Sequence, residues 1–274
     1  MTAPLISVVI PAFNEEGLVE RCVVETVSTL TGLGFRHEVI VVDDGSDDGT
    51  AELARAVADQ FSQVRVVGHD VNRGKGSALI RGASAALGEF VLFMDADLEV
   101  HPRQLRLLWQ KMEESGADVV IGSKLHPSSQ IDYPLVRRIL SHGYYVLVRI
   151  LFRLPVRDTQ TGLKLYRRAV LARVLPRLVI KRFAHDLEVL VNVRRLGYRI
   201  VEAPVVVTRV RPFPRVGPRD AWNVGWDTAA IFYRTYILRY YDRIGPQADM
   251  LAAKSVWDLE SESVEQVVDD HVAG

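Results

Sequence analysis

The stretch that most narrows the possible folds is Phe90-Val91-Leu92-Phe93-Met94, an apolar run that leads without a break into Asp95-Ala96-Asp97-Leu98-Glu99. A continuous apolar run of this length fits a strand covered on both faces, as in a parallel sheet enclosed by helices. Its acids then fall at the strand's C-terminal end, where open α/β sheets bind ligands. Extended geometry places residues i, i+2 and i+4 on one side, so Asp95, Asp97 and Glu99 would converge if the strand continued. Converging carboxylates repel one another unless a cation lies between them. Hard oxygen ligands suit Mg2+ or Mn2+, which complete their shells with phosphate oxygens and water. The expectation is a metal–diphosphate site; the plainer alternative is a capped strand end with its acids facing water.

Similar runs recur along the first 122 residues. Leu5 to Ile10, Glu38 to Val42, Val64 to Val67 and Asp118 to Ile121 read as strands. Amphipathic helices follow to about Leu30, to about Gln60, over Ser77 to Leu87 and over Gln104 to Glu114. Strands alternating with helices predict an α/β fold with a doubly wound, mainly parallel sheet. Two phosphate motifs fail nearby. Gly68 to Lys75 is one residue too long for a P-loop, and Gly76 stands where Ser or Thr should bind magnesium. The dinucleotide fingerprint lacks its third glycine and does not follow the first strand. Gly74 and Gly76 instead let the Asn72 loop approach a ligand or start its helix.

With 274 residues, 48% of them hydrophobic, the chain can bury a full core. Its single cysteine, Cys22, excludes an internal disulfide and fits a reducing cytosol. No basic segment precedes the first apolar run and Pro11 ends it early, which argues against a signal peptide. The net charge of zero conceals an asymmetry: 11 Lys/Arg against 20 Asp/Glu over residues 1–132, but 22 against 7 over residues 133–243. A basic half points to an anionic partner.

Four strings, Val9-Ile10-Pro11-Ala12-Phe13-Asn14-Glu15, Val42-Asp43-Asp44-Gly45-Ser46, Asn72-Arg73-Gly74-Lys75-Gly76 and Asp95-Ala96-Asp97, stand in order at the predicted C-terminal edge of the sheet. Together they resemble the inverting, nucleotide-sugar-dependent glycosyltransferases of GT-A fold. Gly122-Ser123-Lys124, Arg137-Arg138-Ile139-Leu140-Ser141 and Asp158-Thr159-Gln160-Thr161-Gly162-Leu163-Lys164-Leu165-Tyr166 resemble the branch that makes dolichyl- or polyprenyl-phosphate sugars. The resemblance implies that Pro11, Phe13, Glu15 and Asp44 hold the base and ribose, with Ala96 beside the donor. It implies that Asp95, Asp97 and Glu99 hold Mg2+ or Mn2+ against the diphosphate. Lys124 stands where that branch usually has arginine and would neutralise the leaving group. Arg137 and Ser141 would hold the acceptor phosphate, and Arg209, Arg211 and Arg215 lie in a basic loop that in relatives closes over both phosphates. Asp186, in His185-Asp186-Leu187-Glu188, is expected to orient the acceptor side or, for a hydroxyl acceptor, to act as base.

Tyr133 to Leu154 reads as a helix with Arg138, His142, Tyr145, Arg149 and Arg153 on one face and Val136, Leu140, Leu147 and Leu151 on the other. Such a helix suits a membrane interface or a core with a solvated basic side. Trp222, Trp226, Tyr233, Ile237 and Tyr240 recur at helical spacing among arginines, and Trp and Tyr favour the headgroup region. The expected organisation is a nucleotide-sugar-binding α/β half over 1–132 and an acceptor half of the same domain over 133–210. A basic loop and aromatic helix follow over 211–245, then an acidic tail over 246–274. The expected function is a hexose transfer from UDP-glucose or GDP-mannose to a polyprenyl phosphate by a peripheral enzyme on the cytoplasmic face of the membrane. Transfer to a sugar or small-molecule hydroxyl, and a non-catalytic nucleotide-sugar-binding adaptor, are the alternatives. A nucleic-acid partner would leave the acidic sheet edge unexplained and is not expected.

Overall fold

The computed structural model describes residues 5–130, 135–180, 184–207 and 218–245; of residues 135–139 and 218–221 it describes the backbone. Its strands are β1 (Ile6–Ala12), β2 (His37–Asp44), β3 (Val64–His69), β4 (Phe90–Phe93), β5 (Val119–Ser123), β6 (Lys164–Arg167) and β7 (Ile200–Pro204). The helices are α1 (Val19–Gly32), α2 (Thr50–Ala58), α3 (Lys75–Ser84), α4 (Leu105–Ser115), α5 (Leu135–Phe152), α6 (Arg168–Val174), α7 (His185–Arg195), α8 (Pro218–Phe232) and α9 (Tyr240–Arg243).

One seven-stranded sheet takes strands from both halves of the chain, in the order β3-β2-β1-β4-β6-β5-β7. The apolar run around Leu92 becomes the middle strand. Phe90 and Leu92 join a core beneath α1, α2 and α4, while Val91 and Phe93 join a second core beneath α3, α5, α6 and α7. Both faces are covered, which is why the run does not alternate with polar residues.

The sheet is parallel except at β6, which runs antiparallel to both β4 and β5. The sequence reading did not assign this strand. It begins with a lysine, so it lacks the apolar onset of its neighbours β4 and β5. Lys164 is nevertheless fully buried, because its ammonium donates to Asp186 and to the Thr161 carbonyl. A buried charge with satisfied partners is compatible with a strand interior.

Helix α4 closes on Gly116 in the left-handed conformation at φ 63°, a common helix ending. Gly74, at φ 93°, precedes the first residue of α3, so it starts that helix as expected. The aromatic segment is less regular than its spacing suggested. Helix α8 passes into a π turn over Tyr233–Ile237 and then, through Arg239 at φ 49°, into α9. Among the described residues no helix is long and apolar enough to cross a membrane.

Candidate functional site

Strand β1 pairs with β2 on one side and β4 on the other, so the winding of the sheet reverses between β1 and β4. The crevice beyond the carboxyl ends at such a reversal is where ligands bind in open α/β sheets. Here it is a cavity of about 1340 Å³.

One end of the cavity is formed by the loops after β1 and β2. Pro11, Phe13, Glu15 and Asp44 all line it. The Phe13 ring is exposed enough to flank a base, whereas Glu15 and Asp44 are buried. Asp44 is also a brace. Its carboxylate accepts from His69 Nδ1 at 2.7 Å, from the Arg73 N–H at 3.1 Å and from the Gly74 N–H at 2.7 Å. The last residue of β2 thereby fixes the loop that leads into α3.

The floor lies at the end of β4. Extended geometry stops at Phe93, and the chain turns through Ala96 and Asp97 to Leu98, which has φ 55°. The carboxylates of Asp95, Asp97 and Glu99 all line the cavity but are dealt to different partners. Asp95 faces Lys75 Nζ at 2.5 Å, and Glu99 faces Lys124 Nζ at 2.6 Å. Asp97 accepts the Glu99 N–H at 2.9 Å. The convergence expected from strand periodicity is absent because the periodicity ends first. Among the described residues no three His, Cys, Asp or Glu side chains are arranged to hold a metal.

A three-acid cage is not what Mg2+ or Mn2+ requires. These ions commonly take one or two carboxylates and complete their shells with phosphate and water. Asp95 and Asp97 fit that donor set, with Glu99 engaged by Lys124. Partial desolvation resists ionisation of Asp95, but the Lys75 contact outweighs it and holds the carboxyl below its ordinary range. Gly162 stands directly behind this carboxylate. A Cβ there would overlap Asp95, so only glycine leaves the acid in place.

Deeper in the floor, Asp186 at the start of α7 accepts from Lys164 Nζ at 2.6 Å. Burial opposes the charge on Asp186; Lys164 and then Lys75 overcome it, and the carboxyl lies below its ordinary range. Asp158 arranges the neighbouring segment, accepting from the Lys124 N–H at 2.8 Å and from the Thr161 hydroxyl. The other end of the cavity belongs to α5, through Ser141, His142, Tyr144, Tyr145 and Val148. Tyr144 shares a hydrogen bond of 3.1 Å with Thr228 of α8, which fixes the two helices together.

Of the residues singled out in the sequence, Ala96, Lys124, Ser141 and Asp186 thus share one cavity with the nucleotide-side set and the three acids. Arg137 lies on α5 one turn before Ser141, but its side chain lies outside the described residues, as do Arg209, Arg211, Arg215 and the tail over 246–274. Lys75 and Lys164 were missed as site residues. Each stands inside a string that carries the family resemblance, and a cation beside glycines or an apolar strand carries no signal of an acidic partner distant in sequence.

Known proteins resemble this chain in sequence and fold. The description of glycosyl transferase family 2 matches residues 7–175, from β1 through α6. Glycosyltransferase AglD of Haloferax volcanii is 35% identical over 202 residues, which take in 73% of this chain and 32% of that protein. A dolichyl-phosphate beta-glucosyltransferase of Dictyostelium discoideum is 32% identical over 221 residues, covering 75% of this chain and 67% of the relative. The Saccharomyces cerevisiae protein of that name is 32% identical, with 73% and 66% covered. The chain therefore spans about a third of AglD and about two thirds of the glucosyltransferases. Among solved structures, glucosyl-3-phosphoglycerate synthase from Mycobacterium tuberculosis in complex with UDP has a TM-score of 0.64 at 24% identity, covering 84% of this chain and 79% of that one. The same enzyme with Mn2+, UDP and phosphoglyceric acid gives 0.62 at 25% identity, with 84% and 78% covered. The sheet with its antiparallel β6 is that of the GT-A fold, and the chain belongs to glycosyl transferase family 2.

Proposed function

We propose that the chain transfers a hexose from a nucleoside-diphosphate sugar, UDP-glucose or GDP-mannose, to a polyprenyl phosphate at the cytoplasmic face of a membrane, with inversion at the anomeric carbon. The observation that carries this reading is the single cavity, which joins Phe13, Glu15 and Asp44 at one end to Ser141 and Tyr145 of α5 at the other across a floor of paired charges. The relatives named for dolichyl-phosphate glucosyl transfer support the acceptor class. Phe13 would flank the base, and Glu15 and Asp44 would accept hydrogen bonds from base or ribose. Asp95 and Asp97 would hold Mg2+ or Mn2+, which when bound supplies Lewis-acid stabilisation of the diphosphate. Lys124 adds charge where the leaving group develops. Ser141, with Arg137 a turn earlier, would hold the acceptor phosphate in line behind the sugar.

A phosphate acceptor is ionised near neutral pH and needs no base. A hydroxyl acceptor is the second reading, favoured by the phosphoglyceric acid bound in the solved neighbour. Asp186 would then be the base, but Lys164 already stabilises its carboxylate and lowers its basicity.

Incubation of the chain with each labelled donor, Mn2+ and polyprenyl phosphate tests the choice. Label should enter the lipid-extractable fraction, and Asp97→Asn should abolish this. Transfer to soluble acceptors with none to the lipid would favour the second reading, and full turnover by Asp97→Asn would remove the metal role.

A further inference from the structure

Lys75 stands in the cavity floor with no task in the transfer just outlined. It is the first residue of α3, and its backbone is anchored because the preceding Arg73 and Gly74 N–H groups both donate to Asp44. The side chain is less constrained. Its ammonium meets Asp95 at 2.5 Å, with both side chains more than a third exposed at 39% and 36%. Asp186 and Asp97 also act on it, and Asp186 already has its own cation in buried Lys164. Gly162 packs against the same carboxylate, with no room between them for even a methyl group. A divalent ion held by Asp95 would therefore meet the Lys75 ammonium at the same carboxylate.

We propose that Lys75 is a built-in counter-cation for Asp95 that makes metal binding conditional on the nucleoside diphosphate. Without donor, the ammonium occupies the carboxylate and repels a second cation at the same oxygens. The diphosphate arrives with several negative charges on the exposed side of the cavity and gives Lys75 a second anion to face. The ammonium turns to the phosphates, and Asp95 passes to the metal. The order follows from charge: metal alone would crowd positive charge into the floor, whereas metal with diphosphate leaves it near balance. The inference rests on the metal–diphosphate reading above and adds a gate to it.

Binding of Mn2+ to the full chain, read from the free-ion electron paramagnetic resonance signal, tests the gate with and without UDP or GDP. The wild-type chain should bind Mn2+ weakly alone and more tightly with the matching nucleotide. Lys75→Met should tighten binding of Mn2+ alone by about tenfold or more, shrink the gain from nucleotide, and lose this new affinity when Asp95→Asn is added. Lys75→Arg should keep the wild-type pattern. Lys75→Gln, read in the same way, replaces the methionine variant if that one does not fold. A neutral variant that binds Mn2+ alone no more tightly than wild type overturns the gate while leaving the metal site standing. A wild-type chain that binds no Mn2+ with either nucleotide overturns the metal–diphosphate reading and the gate together.

Discussion

Lys164→Met removes the cation from a buried pair at the floor of the cavity. Lys164 is 1% exposed and Asp186 11%, with 2.6 Å between their charged atoms, and the same ammonium also donates to the Thr161 carbonyl. Methionine fills nearly the same volume, so the change is electrostatic rather than a cavity. Breaking a buried pair by removing one member costs about 3–5 kcal/mol, because the remaining charge has lost its compensation. Lys75 also acts on Asp186 and softens the loss, which places the expected cost near the lower limit, about 3 kcal/mol. At roughly 2–4 °C per kcal/mol for a chain of this size, the thermal midpoint should fall by about 6–12 °C. Urea denaturation followed by circular dichroism measures the free energy directly. Adding Asp186→Leu to Lys164→Met removes both charges, and the double variant should return to within about 1 kcal/mol of the single-variant starting point, the wild type. A lysine variant that loses less than about 1 kcal/mol, or a double variant whose losses simply add, would mean the pair is not electrostatically coupled.

Gly162→Ala should place a methyl group onto the Asp95 carboxylate and misalign it, lowering kcat/KM by about 100-fold, since a displacement near 1 Å costs that much at a reacting centre; unchanged kinetics would show that Asp95 tolerates another position. Trp222 and Trp226 are 74% and 70% exposed on α8. Replacing both with serine should weaken co-flotation with anionic liposomes by about tenfold or more from lost apolar contact, and equal flotation would direct the membrane surface elsewhere. Burial holds the His185 imidazole below its ordinary value of 6.5, with Nδ1 donating to the Ile180 carbonyl. The unfolded chain takes up this proton as pH falls through 6.5 while the native chain does not, so stability should decline between pH 7 and pH 5. The urea midpoint should fall over that window, and His185→Gln should flatten the slope; an unchanged slope in the variant would clear His185 of the effect.

Much of the fold was legible because its determinants are local. Leu92 and its neighbours form a strand buried on both faces, and the glycine at 74 marks the start of α3. The strings around Phe13, Asp44 and Asp95 were legible for a related reason, since each lies at the end of a strand that borders the crevice. Pairings between distant segments were not legible. Nothing near Lys164 announces that Asp186, on α7, will enclose its charge, so β6 looked like loop. Likewise the alternation that would bring Glu99 beside Asp95 requires extended backbone, and Leu98 at φ 55° interrupts it. Which acid receives which lysine is decided by that turn together with the positions of β5 and α3, which strand periodicity does not encode.

Helix α5 shows how one segment can serve both a polar cavity and an apolar surface. Ser141, Tyr144, Tyr145 and Val148 turn toward the cavity, at the three- and four-residue spacing of a helical face. Leu140, Leu147 and Ile150 point away and stay exposed, at 68%, 43% and 71%, instead of joining the core as half of a conventional amphipathic wheel would. Helix α8 lies against α5 through Thr228 and the Phe152–Phe232 ring contact, and it leaves Trp222 and Trp226 exposed. An amphiphile with a phosphate at one end and a hydrocarbon chain at the other matches this division. Its phosphate can enter beside Ser141 while the chain stays with the apolar residues one helix face away. A small hydrophilic acceptor would use the cavity but would give the exposed leucines and tryptophans nothing to contact. The polyprenyl-phosphate reading accounts for both faces of α5, whereas the hydroxyl-acceptor reading accounts for only one.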